Sequence, residues 1–191
     1  MAAKQTKIVE LATFTAGETE MITGVTTATQ RDWRRRELAS HPTRGGWTRF
    51  TTEDLVHLIV LDRLISTVRP EAGDELARQS LHAPIAILAK DAYPGVPVRL
   101  AGRKQPLEQP EALARYAVRV QFMDYSLLFL ATNDLNSLPD QVRNSLHPGH
   151  PAYERSPIAY YIIVDLFGVA NQMRARQIKP YFIETQAKRE K

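Results

Sequence analysis

The sequence predicts an α+β fold, with short helices in the N-terminal part and a mixture of strands and helices after them. Gly24 divides two short helical segments, the second of which runs to about Arg36. The Gly-Gly turn and the aromatic residues within 45–50 are typical of a hairpin. Short apolar runs at 126–131 and 159–166 are typical of buried strands, although buried helices can show the same pattern.

Composition places the chain among soluble globular proteins. It has 191 residues, of which 43% are hydrophobic and 24% are charged, and it contains no cysteine. The lack of cysteine excludes a disulfide framework and thiolate metal sites. The N-terminal residues do not follow a signal-peptide pattern, and the apolar runs are too short to cross a bilayer. We therefore expect a cytoplasmic protein with no membrane contact.

Positive charge is concentrated in one segment of the chain. Residues 23–50 contain six arginines but only two acidic residues, so this segment alone carries +4, the formal net charge of the whole chain. The arginines are Arg31, Arg34, Arg35, Arg36, Arg44 and Arg49. A cluster of this kind requires either acidic neighbours or a polyanionic partner.

Spacing sorts the arginines of the second predicted helix, for which Thr26 or Thr27 supplies the N-cap. Two of them have acidic residues one turn away on the same helix and can form ion pairs. These pairs are Asp32 with Arg36 and Arg34 with Glu37. The other two, Arg31 and Arg35, form a like-charged couple, which a phosphate backbone would stabilise. A solvated basic face is the alternative that spacing leaves open.

Two further helices are predicted after the hairpin. Thr51 is a possible N-cap for an apolar helix that should end near Arg69, because the residue before Pro70 is disfavoured in the α conformation. Pro70 can open another helix, which Pro84 interrupts and which continues to Ala92.

The remaining segments carry weaker signals. Val96–Ala101 alternates like a strand, and Ala112–Phe122 is open between helix and strand. Gly168–Lys179 is a plausible helix with arginines near its end. Met1–Thr13 carries little signal, and residues 184–191 have the composition of a solvated tail.

Five motifs follow one another in the N-terminal part of the chain. They are Phe14-Thr15-Ala16-Gly17-Glu18, Thr23-Gly24-Val25-Thr26, Thr29-Gln30-Arg31-Asp32-Trp33, Gly46-Trp47-Thr48-Arg49-Phe50 and Thr51-Thr52-Glu53-Asp54-Leu55. In this order and spacing, residues 14–64 resemble the MerR-type winged helix-turn-helix, and the resemblance covers about a quarter of the chain.

The resemblance implies a sequence-specific DNA-binding transcriptional regulator. Helix Thr27–Arg36 would lie in the major groove, with a wing at Arg44–Phe50 beside it. The residues implied to contact DNA are Thr26, Thr27, Arg31, Arg34, Arg35, Arg44, Trp47 and Arg49. The small core beneath them would consist of Val25, Trp33, Phe50, Leu55, Leu58 and Ile59.

The sequence also departs from the family pattern. Gln30 replaces a usual buried aliphatic residue, so we expect the second helix to pack less firmly or to lie differently. Asp32 replaces an aromatic residue near the phosphates, and Thr48 replaces the usual wing arginine. Pro70 and Pro84 prevent the long dimerising coiled coil of typical members.

We predict a DNA-binding domain at residues 1–69 and a second domain at 70–191 for dimerisation and for a small-molecule or protein effector. Paired half-sites on double-stranded DNA imply a homodimer. One group of aromatic residues could line an effector pocket, although core packing is the favoured explanation for them. These residues are Tyr125, Phe129, Tyr153, Tyr160, Tyr161 and Phe167.

No catalytic, cofactor or metal site is predicted. His147 and His150 are the only closely spaced histidine pair, and they lack further ligands at a suitable spacing. Nucleophile and phosphate-binding motifs are not present in the sequence. Two alternatives to a regulator remain: a phage-type architectural protein, such as an excisionase or a small terminase subunit, and a protein-interaction module that uses the arginine-rich helix.

Overall fold

The computed structural model describes residues 7–39, 49–100, 115–122, 125–132 and 158–186, which form a mixed arrangement of helices and strands. The helices are α1 Ala16–Thr23, α2 Thr27–Arg35, α3 Thr52–Leu64, α4 Pro70–Gln79, α5 His82–Ala92 and α6 Leu166–Ala175. The strands are β1 Lys7–Leu11, β2 Thr13–Phe14, β3 Phe50–Thr51, β4 Val98–Arg99, β5 Arg115–Phe122, β6 Tyr125–Thr132, β7 Ile158–Asp165 and β8 Phe182–Gln186. The predicted α+β class is confirmed as a mixture of helices with small sheets.

One small sheet joins the two ends of the described chain. Its strand order is β4-β1-β8, with β1 parallel to β4 and antiparallel to β8. Lys7 faces Gln186 and Leu11 faces Phe182 at the two ends of the β1–β8 pair. The expectation of a solvated tail from residue 184 is therefore wrong for residues 184–186. The sequence pattern did not indicate the strand at Lys7–Leu11, because β1 and β8 are short and pair with each other across a long sequence separation.

The other sheets agree better with the sequence pattern. Strands β2 and β3 pair antiparallel, with Phe14 opposite Phe50. Strands β5, β6 and β7 form a second three-stranded sheet, antiparallel between β5 and β6 and parallel between β6 and β7. The apolar runs are therefore strands, apart from Leu166, which begins α6, and 115–122 is a strand rather than a helix.

Helix α3 lies at the centre of the helical packing. Thr51 caps it as predicted, with its hydroxyl accepting from the Asp54 N–H at 3.2 Å and Asp54 accepting from the Thr51 N–H at 2.7 Å. All residues from Leu55 to Leu61 are buried, because α1, α4, α5 and α6 pack around the helix. It ends at Leu64, earlier than the expected end near Arg69.

Helices α4 and α5 are separate. Pro70 occupies the start of α4 as predicted, but α4 ends at Gln79 and α5 begins at His82. Pro84 therefore does not interrupt a longer helix. It lies in the first turn of α5, where the N–H that proline lacks would have no partner within the helix.

One hydrophobic cluster runs through the described part of the chain. It extends from Val9 to Phe182 and includes residues of all three N-terminal helices and of α6. The predicted core residues are all buried: Val25, Trp33, Phe50, Leu55, Leu58 and Ile59. The division between residues 69 and 70 stays a prediction. Among the described helices, none has both the length and the hydrophobicity needed to span a membrane.

A buried polar contact links α3 to α4. The His57 side chain is 4% exposed, and its Nε2 lies 2.8 Å from Oδ1 of Asp74, while Arg78 Nε donates to Oδ2 at 2.9 Å. Burial, the largest influence, raises the pKa of Asp74, but the hydrogen bonds from His57 and Arg78 outweigh it and leave that pKa below its ordinary value.

Asp74→Asn should lower the free energy of unfolding by about 1–2 kcal/mol near neutral pH, because two bonds to a charged acceptor weaken. A lowered folded pKa stabilises the protein above the unfolded value of about 4, and the contribution disappears as the pH falls through the folded pKa. The difference between wild type and variant should therefore shrink below about pH 4 in denaturant titrations. A difference that grows on acidification would contradict this assignment.

Candidate nucleic-acid interface

Helices α1 and α2 are joined by a tight turn whose ends are capped. Thr15 and Glu18 form a capping box at the start of α1. Gly24 closes α1 in the left-handed conformation, with φ of 84°, and its N–H donates to the Glu20 carbonyl at 2.8 Å. Thr26 caps α2 by accepting from the Thr29 N–H at 3.2 Å. The predicted helix, glycine turn and threonine cap are confirmed.

Gln30 connects α2 to this turn through buried hydrogen bonds. It is completely buried, and its Nε2 donates to the Val25 carbonyl at 2.8 Å and to the Ala16 carbonyl at 3.2 Å. Its amide oxygen Oε1 is buried without a hydrogen-bond partner among the described residues. Two hydrogen bonds thus replace the contacts of an aliphatic residue, and the expectation that the helix packs less firmly or lies differently stays a prediction. The position of α2 is set by Gln30 together with Trp33, the other buried residue of the helix.

The end of α2 has a defined cap that the sequence pattern did not indicate. Glu37 adopts a left-handed conformation with φ of 60°, and its N–H donates to the Arg34 carbonyl at 3.0 Å. The Leu38 N–H then donates to the Trp33 carbonyl at 2.8 Å. These two bonds form a Schellman motif, with glutamate in the position that glycine usually occupies.

The outward face of α2 carries the exposed arginines. Arg35 Nη2 lies 3.0 Å from Oδ1 of Asp32, and Arg36 Nη1 lies 3.8 Å from Oδ2 of the same carboxylate. The expectation that Arg35 lacks an acidic partner is therefore wrong, because Asp32 reaches the residue three positions along as well as four. Arg31 is exposed and makes no hydrogen bond or ion pair with any residue that the structure describes.

Arg34 lies between this face and the core. Its guanidinium is 5.7 Å from the centre of the Phe50 ring, and its Nε donates to the Gln30 carbonyl at 3.3 Å. The cation–π contact connects α2 to strand β3. Arg34 is therefore partly engaged within the protein.

The N-terminal end of α2 is already occupied by an acidic residue. Glu20 accepts the Thr27 N–H at 3.1 Å, and the Thr26 hydroxyl is bonded to both the N–H and the hydroxyl of Thr29. These bonds take two of the backbone donors that a helix N-terminus offers to an anion. A phosphate at the N-terminal end of α2 would therefore be contacted mainly by the threonine hydroxyls.

The predicted wing lies mostly outside the described residues. Arg44 and Trp47 fall in that part, while Arg49 is exposed immediately before β3. The two-residue pairing of β2 with β3 places the end of this segment beside Phe14.

The C-terminal helix touches the turn between α1 and α2, which the sequence analysis did not anticipate. Gln172 donates its amide to the Thr23 carbonyl at 3.1 Å and accepts from Arg63 at 2.8 Å. One turn later, Arg176 lies so close that a Cβ on Gly24 would be 3.1 Å from its Nη1. The arginines near the end of this helix were the only signal, and spacing cannot show what they contact.

Two cations beside this contact, Lys179 and Arg174, are paired with carboxylates. Lys179 Nζ lies 2.8 Å from both oxygens of Glu18 and 4.7 Å from the centre of the Phe14 ring. The hydrogen bond from Lys179, with further bonds from Thr15, lowers the pKa of Glu18. Arg174 pairs with Asp91.

A cleft of about 460 Å³ lies between the ends of α5 and α6 and the start of β8. Residues on its walls include Asp91, Tyr93, Arg174, Gln177, Tyr181 and Phe182. Of the aromatic residues considered for an effector pocket, Phe167 is exposed and is not among these wall residues, and the side chains of the other five lie outside what the structure describes.

Within the described ranges, no three His, Asp or Glu side chains group in a way that could hold a metal ion. His147 and His150 lie outside those ranges. Comparison with known protein families, with curated proteins and with solved structures found no match, so the inferences below rest on the residues of this chain alone.

Gly24→Ala should lower the free energy of unfolding by about 1–2 kcal/mol, because a Cβ is strained at a left-handed φ. Gly17→Ala is the matched control, since an added Cβ there meets nothing within 4 Å. Gly17 lies within α1, so alanine should leave the stability unchanged or raise it by up to about 1 kcal/mol. Equal losses in urea titrations of both variants would show that the turn has no special requirement.

Gln30→Glu should lower the free energy of unfolding by about 2 kcal/mol or more near neutral pH, because a carboxylate cannot donate to two carbonyl groups. Burial should raise the pKa of the new carboxyl, so part of the loss should be recovered on acidification, when the protonated group can donate again. Gln177→Glu makes the same change at an exposed position. Thermal melting across pH that shows no difference between the two variants would refute this role of Gln30.

Proposed function

We propose that the protein is a sequence-specific DNA-binding transcriptional regulator, with α1, α2 and the segment leading to β3 as a MerR-like winged helix-turn-helix. The observation that carries the proposal is the position of Arg31. It lies exposed on α2, without a described partner, while Gln30 and Trp33 anchor the opposite face of the helix in the core.

The dimensions of α2 suit the proposed contact. An α-helix with its side chains is about 10–12 Å across and fits the major groove, which is about 12 Å wide, and the nine residues of α2 extend about 13 Å. Ala28, Arg31 and Arg35 share the outward face at helical spacing, and all three are exposed. A short side chain at Ala28 lets the first turn approach the bases, while the longer arginines reach bases or phosphates.

The ion pairs of Asp32 with Arg35 and Arg36 reduce the positive charge of the outward face of α2 but leave Arg35 accessible to a phosphate. The Arg35 side chain is 77% exposed and that of Asp32 is 45% exposed. A pair in such surroundings contributes less than about 1 kcal/mol. A phosphate can therefore compete for Arg35, and Asp32 would then act as a repulsive element that weakens binding to wrong sites.

The remaining assignments form part of the same proposal. Thr26, Thr27 and Arg34 would contact the phosphate backbone, and Arg44, Trp47 and Arg49 would serve the wing. A cytoplasmic homodimer would bind two half-sites of double-stranded DNA. The cleft beside Arg174 offers a place for a small-molecule effector.

Arg31→Ala with Arg35→Ala should reduce affinity for a labelled mixed-sequence duplex of about 30 base pairs and lower the slope of log affinity against log salt by about 2. Asp32→Asn should raise affinity for the same duplex, because it removes a negative charge and releases Arg35. Fluorescence anisotropy over a salt series measures both effects. Fragments selected from genomic DNA then identify the sequence that is read.

Arg69→Ala with Lys90→Ala is the charge-matched control, since both residues are exposed, Arg69 immediately before α4 and Lys90 on α5. It should leave the salt slope nearly unchanged. If the α2 variant behaves like this control, α2 does not contact DNA. Absence of binding by the wild type even at low salt would favour the protein-interaction module, and protection of an attachment or packaging site would favour the phage-type architectural protein.

A further inference from the structure

We infer that Arg176, at the end of α6, is a phosphate-contacting residue of the DNA interface, so that the C-terminal part of the chain completes the surface formed by α2. This inference rests on the proposed DNA-binding function. The partner is duplex DNA, and the contact is with its backbone rather than with bases.

The position of Arg176 is fixed by the protein. Gln172 lies one turn earlier on α6, and its amide is held by the Thr23 carbonyl on one side and by Arg63 on the other. This double contact sets α6 against the end of α1. Residues four apart on a helix share a face, so Arg176 reaches the same turn and rests against Gly24.

Arg176 differs from Lys179 and Arg174 in its lack of a carboxylate partner among the described residues. Lys179 is bound to Glu18, and Arg174 is bound to Asp91. Arg176 is exposed and forms no ion pair or side-chain hydrogen bond with any described residue. Its charge is therefore available to an external anion.

An interaction with the helix dipole does not by itself account for this arrangement. A basic residue at the end of α6 is favourable for the dipole whichever way the side chain points. The guanidinium of Arg176 instead lies against a turn that leads directly into α2, and glycine at position 24 leaves room for it.

The location of Arg176 suits a phosphate contact beside a helix that lies in the major groove. In such complexes the start of the recognition helix approaches the bases, and residues around it hold the phosphate backbone. Glu20 takes the backbone N–H of Thr27 at this end of α2. A guanidinium beside the turn supplies the positive charge that this end of the helix otherwise lacks.

Arg176→Gln in the full chain should weaken binding to the mixed-sequence duplex on the order of fivefold and lower the salt slope by about 1. Arg176→Lys should keep most of the slope, because the charge remains. Arg99→Gln, which removes one exposed charge from β4 together with its 3.8 Å ion pair to Glu10, is the control and should change neither quantity. Circular dichroism of Arg176→Gln should match the wild type and its melting temperature should fall only slightly, because the variant loses the interaction with the helix dipole but no described side-chain hydrogen bond.

The outcomes separate the two proposals. Loss in Arg176→Gln but not in Arg99→Gln supports the inference. Wild-type affinity and slope in Arg176→Gln, together with a loss in the Arg31 and Arg35 variant, would overturn the inference and leave the proposed function standing. No loss in either variant, or no binding by the wild type, would overturn both.

Discussion

Tyr181 joins the C-terminal segment to the N-terminal helices, and the arrangement of the described fold depends on this junction. Its carbonyl accepts from the Ala12 N–H at 2.8 Å and from the Thr52 hydroxyl at 2.6 Å. Its hydroxyl donates to the Met173 carbonyl at 2.6 Å, and its ring lies 5.8 Å from that of Phe14. Burial raises the pKa of Tyr181 to about 12, so the hydroxyl stays a donor at physiological pH. One residue thus connects α6 and β8 with the starts of α1 and α3.

This junction also explains why α6 meets the turn between α1 and α2. Strand β8 follows Tyr181 and pairs along the whole of β1, so the end of α6 cannot move away from the N-terminal helices. Gln172 and Arg176 are then carried to Thr23 and Gly24. The candidate interface is therefore a product of both ends of the described chain.

The cations around α1, α2 and α6 differ in whether they have an acidic partner. Acidic residues engage several of these cations, as Glu18 does for Lys179 and Asp32 does for Arg35. Arg31 and Arg176 have no such partner among the described residues. Exposed and unpaired guanidinium groups attract a polyanion most strongly because no internal contact must be given up. The paired arginines add affinity only where phosphate competes with a carboxylate.

The sequence by itself determined the local features of this protein. The glycine turn, the threonine caps of α2 and α3 and the apolar core positions follow from φ preferences, capping and periodicity, which act over a few residues. Only the tertiary structure decided which cations stay exposed, which carbonyl groups accept from Gln30 and that β1 pairs with β8. Those outcomes depend on contacts between residues up to about 180 positions apart, and no short-range pattern encodes which distant group will complete a hydrogen bond or neutralise a charge.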